Sequence, residues 1–419
     1  MATPNPVDVY VSMKGRELLA GRLWHHRRGR SESATFSYDA DYLADPDAYD
    51  LDPALPLVGG QLQTAAGRSL FGSFSDCAPD RWGRRLIDRD ERHRVDLDGG
   101  PARSFADVDY LVGVRDDLRQ GALRFRNPET GIFLATPSHG VPYLIDLPVL
   151  LHAAEHMERG DATAEEVRTL LEGGSSLGGA RPKAHVLNSD GQIAIAKFPS
   201  PVNDQWDVIR WEAVALELAS RCGIRVPNWN LHTIEGKAVL IIDRFDRNAD
   251  IRIGYVSAMT LLEATDGDDG SYIEIAEAFI DWALDPEVDL AQLWRRIAFY
   301  LLISNTDDHL RNHGFLRVST AGWQLSPAFD INPDPRPGTN RRSTAIDRGQ
   351  ESSVATLLDV APIFGLSETE AQSVLSEVCE STTQWREAAE EMGLSKAAIG
   401  EMTSAFENEH IVEARKLPA

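Results

Sequence analysis

Residues 301–316, LLISNTDDHLRNHGFL, place two aspartates, two histidines, an arginine and two asparagines directly behind an apolar helical segment. Asn312 follows Asp307 by five positions, the spacing at which protein kinases set a metal-holding asparagine after the aspartate of the catalytic loop. Phosphoryl transfer requires mainly a carboxylate near the attacking hydroxyl and a metal that neutralises the phosphates. The stretch therefore indicates a catalytic loop, with Asp307 as base and Asn312 as metal ligand.

The same stretch allows a second interpretation, a zinc-dependent hydrolase. His309 and His313 stand four positions apart, as in the HExxH helix of zinc proteases, and Asp307 and Asp308 add two further candidate ligands. However, Leu310 occupies the place of the glutamate that would activate zinc-bound water, and the other side chains of the loop are poor zinc ligands. A metallohydrolase remains an alternative to the kinase prediction.

Three more elements follow in kinase order. Asp330 comes after the extended run WQLSPAF, where a second metal-holding carboxylate is expected. Lys197 lies in the strand candidate IAIAKFP, and Glu212 lies in the helix candidate that follows. Each residue alone also suits a plain structural role, as a strand-end charge or a solvated helix position. It is their order that favours phosphoryl transfer.

A glycine-rich run, EGGSSLGGARPKAHVL, precedes these elements. It does not match the Walker A pattern, because Gly179 is followed by Ala180 where that pattern requires lysine. Small residues would still let the backbone approach a phosphate, with Lys183 nearby as a point charge. The run is either such a cradle or a flexible turn between domains.

The rest of the chain is predicted to consist of strands and helices joined by turns and loops. Residues 7–74 read as strands and turns with a hairpin at MKGRE, and the chain becomes helical from 79. Thr163 with Glu166, and Ser367 with Glu370, have the spacing of capping boxes that begin helices. The Pro, Gly and Arg-rich segment 331–350 predicts a long surface loop.

Composition limits the function. A formal net charge of -23 over 419 residues disfavours unaided binding to a nucleic-acid backbone and favours a basic protein partner. The three cysteines are far apart without CxxC spacing, which indicates reduced thiols in the cytoplasm. No secretion signal is expected from the first residues, and the most apolar helix candidate is too short for a membrane span.

Taken together, SSLGGARPKA, AIAKFP, WEAVALELASRCGIRVP, DRFDR, NTDDHLRNHGFL and LSPAFDINP resemble, in this order, the HipA family of bacterial toxin serine/threonine kinases. The resemblance spans about residues 170 to 385, and LFGSFSDCAPDRWGRRLI resembles the N-terminal domain of that family. It implies an α+β fold with a protein-kinase-like core and a mostly helical C-terminal lobe. The implied domains are a β-rich N-terminal subdomain (1–112), a connecting helical segment (113–170), a glycine-rich loop with the ATP-binding lobe (171–255) and a helical catalytic lobe (256–419).

The resemblance also assigns roles by position. Asp307 and His309 fall on the catalytic loop, and Asn312 and Asp330 on the metal ligands. The ATP-binding positions are Ser176, Gly178, Gly179, Ala180, Lys183, Lys197, Asp243, Arg244 and Phe245, the last three at the adenine-side hinge. The family serine that the kinase itself phosphorylates falls on Ser176, with Ser175 beside it, and a phosphate there would exclude ATP. Two positions depart from the family, Asp308 where small residues are common and Arg311 where lysine is usual.

The implied activity is transfer of the γ-phosphate of ATP, with Mg2+, to a serine or threonine of a protein such as an aminoacyl-tRNA synthetase. The implied partner is a small helix-turn-helix antitoxin of the HipB type, through which alone the complex would reach DNA. A degenerate kinase that serves as a binding or corepressor module of a toxin-antitoxin complex is the alternative from another functional class.

Overall fold

The structure is a computed structural model of the 419-residue chain, and it describes residues 3–29, 31–136, 140–174, 179–249, 251–336 and 344–417. The chain divides into two compact units. The first comprises Met1–Asn203 and Thr233–Val256, and the second comprises Asp204–His232 and Ser257–Ala419. Helices account for 40% of the structure and strands for 21%.

The strands are β1 (Val7–Met13), β2 (Arg16–Arg28), β3 (Ser31–Tyr38), β4 (Leu62–Gln63), β5 (Leu123–Arg126), β6 (Lys183–Leu187), β7 (Ile193–Lys197), β8 (Trp229–Ile234), β9 (Lys237–Asp243), β10 (Arg247–Asn248), β11 (Ile251–Arg252), β12 (Gly254–Ser257), β13 (Gly270–Ser271), β14 (Gly314–Ser319), β15 (Gly322–Leu325) and β16 (Thr344–Ala345). The helices are α1 (Ala40–Ala44), α2 (Gly72–Asp76), α3 (Arg81–Asp98), α4 (Asp107–Gly113), α5 (Leu147–Arg159), α6 (Ala164–Glu172), α7 (Val208–Arg221), α8 (Ala258–Leu261), α9 (Tyr272–Ile280), α10 (Pro286–Leu302), α11 (Val354–Asp359), α12 (Glu368–Thr382), α13 (Trp385–Glu391), α14 (Lys396–Glu401), α15 (Thr403–Phe406) and α16 (Glu409–Ala414). Within the described ranges, none of these helices is both long and apolar enough to cross a bilayer.

The first unit begins with an antiparallel sheet in the order β4-β3-β2-β1-β5. β1 and β2 are joined at Lys14 and Gly15, whose φ values of 51° and 73° suit the two-residue hairpin predicted from MKGRE. An aromatic cluster packs here, with Phe36 against Phe74 at a ring distance of 5.6 Å. The β-rich start is confirmed, although it also contains the short helices α1, capped by Asp39, and α2.

A second antiparallel sheet of the first unit contains β6, β7 and β9 in this order. It packs with α3, α5 and α6 into an apolar core that includes buried Trp82, Leu151, Leu170, Val186 and Ile241. The indole N–H of Trp82 donates to the carbonyl oxygen of Lys183 at 2.9 Å. This core therefore holds β6 and β7, the strands that carry Lys183 and Lys197.

Both capping boxes predicted from the sequence are confirmed. The Thr163 hydroxyl accepts from the backbone N–H of Glu166, whose carboxylate accepts from the backbone N–H of Thr163, at the start of α6. Ser367 and Glu370 make the same pair of bonds at the start of α12. In each case two backbone N–H groups that the helix leaves unpaired are satisfied by side chains.

α10 is the central helix of the second unit. Trp294, Ile297 and Phe299 are fully buried within it, and α9, α11, α12 and α16 pack against it. Such a helix is held mainly by its apolar packing, so its C-terminal end has a defined position. The candidate catalytic loop begins at that end.

Segment 331–350, predicted as a surface loop, contains buried residues in both of its described parts, although residues 348–350 are exposed. Ile331 and Asp334 are buried at the first end. At the second, Thr344 and Ile346 are 0% and 1% exposed, and β16 pairs in parallel with β13. Alternating β-branched residues suit a buried strand, and the surrounding Pro, Gly and Arg residues masked this signal. Residues 337–343 lie outside the described ranges.

A buried ionic cluster connects the chain after α4 to the end of β9. The Asp246 carboxylate accepts hydrogen bonds from Nε of Arg244 at 2.8 Å, Nη1 of Arg247 at 2.9 Å and the backbone N–H of Gly121 at 2.7 Å. Arg244 also donates to the carbonyl oxygen of Leu118 at 2.6 Å. Burial pushes the pKa of Asp246 up, but the charges of Arg244 and Arg247 outweigh it and hold that pKa below the ordinary range.

Replacing Asp246 by Asn should lower the free energy of unfolding at pH 7 by about 3–5 kcal/mol, because two buried guanidinium groups lose their counter-charge. Since the pKa is lowered on folding, this stabilisation is present above about pH 4 and is lost as the pH falls further. Urea unfolding of wild-type and variant protein at several pH values measures this difference in free energy. The control is Asp47→Asn, whose partners Lys14 and Arg16 are exposed, with an expected loss below about 1 kcal/mol. Equal small losses for both variants would contradict the prediction.

Candidate active site

The loop after α10 begins with a sharp change of direction. Ser304 has φ 53°, in the left-handed region that few residues other than glycine adopt. Asn305 follows and is 1% exposed, whereas Asp307 is exposed. The chain then makes a 3₁₀ turn over Leu310–Asn312. The chain after the apolar helix is thus held at buried Asn305, and Asp307 two residues later lies in solvent.

Asn312 is tied to Asp307 inside this loop. Its side-chain N–H donates to the backbone carbonyl oxygen of Asp307 at 3.1 Å, and the residue is 5% exposed. The bond fixes the distance between the two ends of the loop. It also turns the amide nitrogen of Asn312 toward Asp307, which leaves the amide oxygen to accept elsewhere.

Asp330 lies in a second irregular segment that is fastened to the same loop. Its φ is 58°, a left-handed conformation that costs on the order of 1–3 kcal/mol and persists where the surroundings enforce it. The backbone N–H of Asn332 donates to Oδ1 of Asn305 at 3.2 Å, and the N–H of Asp334 donates to the carbonyl oxygen of Ser304 at 3.2 Å. These bonds join the segment of Asp330 to the loop of Asp307 within the second unit.

The donor chemistry of these residues fits magnesium. Asn312 offers an amide oxygen and Asp330 a carboxylate, and Mg2+ prefers such hard oxygen ligands. Left-handed backbone at a non-glycine residue is typical of functional sites, where strain serves to aim a side chain. The geometry therefore agrees with the predicted metal role of both residues, which stays a prediction.

The two histidines of the loop are placed differently. His313 is 0% exposed, and its Nε2 lies 3.1 Å from Oδ2 of Asp308. His309 is half-buried, and its Nδ1 has no hydrogen-bond partner among the described residues. Nε2 of His313 is engaged with Asp308, while Nδ1 of His313, like that of His309, has no hydrogen-bond partner among the described residues. Nowhere in the described ranges do three His, Cys, Asp or Glu side chains converge as a metal site.

Arg311, which stands where the HipA family usually has lysine, makes a two-pronged ion pair. Its Nε and Nη2 donate to the two carboxylate oxygens of Asp266 at 2.9 and 2.7 Å. Lysine could not form this planar, paired arrangement. The side chain of Asp266 is 77% exposed, so the pair orders the rim of the loop and contributes little stability.

The predicted phosphate-binding lysines lie side by side in the first unit. Lys183 on β6 is directly opposite Lys197 on β7 in the antiparallel register. Lys183 is 4% exposed. Gly179 has φ 98°, and a Cβ placed on it would lie 2.6 Å from Nζ of Lys183. The backbone of Gly179 and the ammonium group of Lys183 are thus adjacent, as a phosphate cradle requires.

The base of the glycine-rich loop is held by His185. Its backbone N–H and its Nδ1 both bond to the carbonyl oxygen of Gly173, at 2.6 and 2.9 Å. On the other side of the ring, Nη1 of Arg244 lies 3.0 Å from Nε2. Since Arg244 can only donate, Nδ1 carries the ring proton and His185 is neutral. Burial first, and then the charge of Arg244, lower the pKa of His185 well below its ordinary value.

The remaining predicted positions are spread over both units. Ser175, Ser176 and Gly178 lie outside the described residues. Ala180 is exposed. Glu212 on α7 is 2% exposed and is therefore not a solvated helix position. It belongs to the second unit, whereas Lys197 belongs to the first.

Arg244, the middle residue of the predicted adenine-side hinge, uses its side chain for contacts within the protein. The guanidinium of Arg244 is committed to Asp246 and to backbone carbonyl groups in the interior of the first unit. Asp243 accepts a hydrogen bond from Asn188 at 2.9 Å, and the rings of Phe245 and Tyr255 lie 6.5 Å apart. If this hinge contacts adenine, Arg244 would do so through its backbone. The assignment stays a prediction.

In the kinase interpretation of the sequence, Asp308 and His313 have no role, and none of the motifs includes Tyr272. The structure brings all three together, since the Tyr272 hydroxyl donates to the same oxygen of Asp308 that faces His313. The adjacency of Asp308 to Asp307 and of His313 to Asn312 was a usable signal. Tyr272, 36 positions before Asp308, had none.

Sequence profiles of known families match two parts of the chain. Residues 175–386, just over half of the chain, match the HipA-like C-terminal domain, and residues 9–108 match the HipA N-terminal domain. A protein of Sinorhizobium fredii named "Putative kinase Y4mE" is 25% identical over 326 residues, which are 71% of this chain and 71% of that protein.

Two solved structures are also similar. HipA from the Shewanella oneidensis MR-1 toxin-antitoxin complex of HipA, HipB and operator DNA has a TM-score of 0.66 at 16% identity, over 99% of this chain and 100% of that chain. The Helicobacter pylori proinflammatory kinase CtkA has a TM-score of 0.45 at 17% identity, over 57% of this chain and 93% of that chain. The Shewanella structure shows that the mixed α/β fold is the HipA fold, which confirms the predicted fold class.

The HipA N-terminal and C-terminal domains match this chain in the order of their names. The chain belongs to the HipA-like family, as the resemblance of its motifs predicted.

Replacing Gly179 by Ala should weaken nucleotide binding about tenfold, a change of about 1.4 kcal/mol, because the new Cβ displaces the ammonium group of Lys183. The matched control is Gly191→Ala in the β6–β7 turn, where φ is 74° and a Cβ would meet nothing within 4 Å. Both variants carry the same kind of backbone strain, so both should lose on the order of 1–2 kcal/mol of stability. Calorimetry with ADP should separate them, and equal affinities for ADP would refute the cradle.

Proposed function

We propose that this HipA-like protein is a serine/threonine-protein kinase that uses ATP and Mg2+. The observation that carries the proposal is the tie of Asn312 to the backbone of Asp307, together with the fastening of the Asp330 segment to the same loop. These bonds would hold a base candidate and two candidate oxygen ligands close together. The family match and the kinase-named relative support the reaction class.

Asp307 is the proposed base. Its carboxylate is exposed, as a group that accepts the proton of a serine or threonine hydroxyl must be. The backbone on its own side is fixed by Asn312, so the carboxylate would need little reorganisation at the moment of transfer. Arg336 lies close enough for the charge of Asp307 to help raise its pKa, after the larger effect of its ion pair with Asp334.

The phosphates would be gripped in the first unit by Lys183, Lys197 and the backbone near Gly179. Two lysines at paired positions would supply part of the positive charge that the three phosphates need. Asn312 and Asp330 would hold the magnesium, which when bound neutralises the charge of the transferring phosphate. Ser176, with Ser175 as the adjacent alternative, is the proposed site of self-phosphorylation.

For partners we propose a small antitoxin of the HipB type and a protein substrate such as an aminoacyl-tRNA synthetase. The structural relative is a complex of HipA with HipB and operator DNA. A net charge of -23 suits a basic, DNA-binding partner and a protein that reaches DNA only through it. We propose a cytoplasmic location, where reducing conditions would keep the three buried cysteines as thiols.

Asp330→Asn and Asp307→Asn should each reduce phosphate transfer at least about 100-fold, because charge stabilisation worth several kcal/mol is lost from the metal or base position. Purified protein with Mg2+ and labelled ATP, alone or with added proteins, measures it. The matched control is Asp281→Asn, an exposed carboxylate after α9, which should keep the wild-type rate. If wild-type protein transfers no phosphate, the chain is a binding module, and if Asp330→Asn transfers it normally, the metal assignment is wrong.

Mass spectrometry of protein purified from cells should find phosphate on the peptide containing Ser175 and Ser176. The Asp307→Asn variant from the same cells should carry none there, because the modification is proposed to come from the protein itself. Phosphate on the variant would show that another kinase supplies it.

A further inference from the structure

Two residues adjacent to the proposed base and metal ligand are joined to each other. Asp308 follows Asp307, His313 follows Asn312, and Nε2 of His313 lies 3.1 Å from Oδ2 of Asp308. The loop is thus closed twice, once from 307 to 312 by the side chain of Asn312 on the backbone of Asp307, and once from 308 to 313 by this buried side-chain pair.

Tyr272, the first residue of α9, anchors the pair from outside the loop. Its hydroxyl donates to the same Oδ2 of Asp308. Its ring meets that of His313 edge to face, at a centroid distance of 5.3 Å. The side chain of Ser271 caps the start of α9 at Glu274, so the anchor stands on a fixed helix end.

The cluster is almost completely removed from water. Tyr272 and His313 are 0% exposed and Asp308 is 1% exposed. A buried carboxylate is costly unless donors satisfy it, and in this surrounding of low polarity each hydrogen bond is stronger than in water. Moving Asp308 away from either donor would leave unpaired polar groups inside the protein. The loop therefore has one strongly preferred geometry.

We propose that Asp308 is a positioning residue for phosphate transfer, and that Tyr272 and His313 hold it in place. Asp308 fixes the direction in which the neighbouring Asp307 carboxylate points, and His313 fixes the amide oxygen of the neighbouring Asn312. This inference rests on the proposed function, since it assigns a role relative to those two residues. No contact of Asp308 with substrate is required.

The experiment compares Asp308→Ala, Asp308→Asn and Tyr272→Phe with wild-type protein in steady-state phosphate transfer. Asp308→Ala should lower kcat about 10- to 100-fold, because displacements near 1 Å at reacting groups have effects of this size. Asp308→Asn keeps an oxygen that can accept both hydrogen bonds and should recover most of kcat. Tyr272→Phe keeps the ring and loses only the hydroxyl, so it tests the anchor if Asp308→Ala does not fold.

A second readout does not depend on activity. Mn2+ binding in the presence of a non-hydrolysable ATP analogue, followed by electron paramagnetic resonance, should weaken in Asp308→Ala and Tyr272→Phe because Asn312 is displaced. The matched control is Tyr143→Phe, which removes the hydroxyl of a tyrosine that is 60% exposed. It should leave kcat, KM and Mn2+ binding unchanged.

The outcomes separate the two hypotheses. An inactive wild-type protein would defeat the proposed function, and the Mn2+ comparison would then decide alone whether the cluster positions the loop. Active wild-type protein with unchanged kcat and Mn2+ binding in both Asp308→Ala and Tyr272→Phe would overturn the positioning role. A loss of activity that parallels a lower melting temperature and disappears on cooling would also overturn it, because the cluster would then serve stability only.

Discussion

The hydrogen bond from Asn312 to the backbone of Asp307 is the constraint on which the candidate site depends. Neither residue lies in a regular α-helix or a strand, so no backbone ladder fixes their separation. Side chains take over that function: Asn312 closes the loop, and Asn305 receives the N–H of Asn332 from the neighbouring segment. Left-handed backbone at Ser304 and Asp330 is unfavourable in free energy. These hydrogen bonds and the buried packing of α10 offset that cost.

In the first unit, buried charged residues hold the start of the glycine-rich loop in place. The glycine-rich loop starts from Gly173, whose carbonyl oxygen is held by His185, and His185 is in turn fixed by Arg244. Arg244 is balanced by Asp246, so a neutral histidine remains next to a buried cation without loss of hydrogen bonding. The chain between α4 and β5 takes part through Leu118 and Gly121. The N-terminal part of this unit therefore helps to shape the base of the loop.

Local signals in the sequence predicted local structure well. The hairpin at Lys14 and Gly15 and the capping boxes at Thr163 and Ser367 depend on neighbours within a few positions, and the structure confirms them. The spacing of Asp307 and Asn312 predicted a catalytic loop, and the structure adds a hydrogen bond between these two residues that the spacing did not predict. The burial of Thr344 and Ile346 was missed because composition alone marked that segment as a surface loop. Tyr272 and the partners of Arg244 were missed because they come from distant parts of the chain, and no periodic pattern connects them.

The proposed phosphate-binding residues and the proposed base and metal ligands are held in place by different kinds of interaction. Lys183 and Lys197 stand on paired strands over an apolar core, so their positions depend on packing and register. Asp307, Asn312 and Asp330 stand on irregular chain held by polar side chains, so their positions depend on a few directional bonds. Directional bonds in a buried network strengthen one another, so the loss of one bond also weakens the others. Nucleotide affinity should therefore tolerate conservative changes in the core, whereas turnover should respond to the loss of a single donor in the loop.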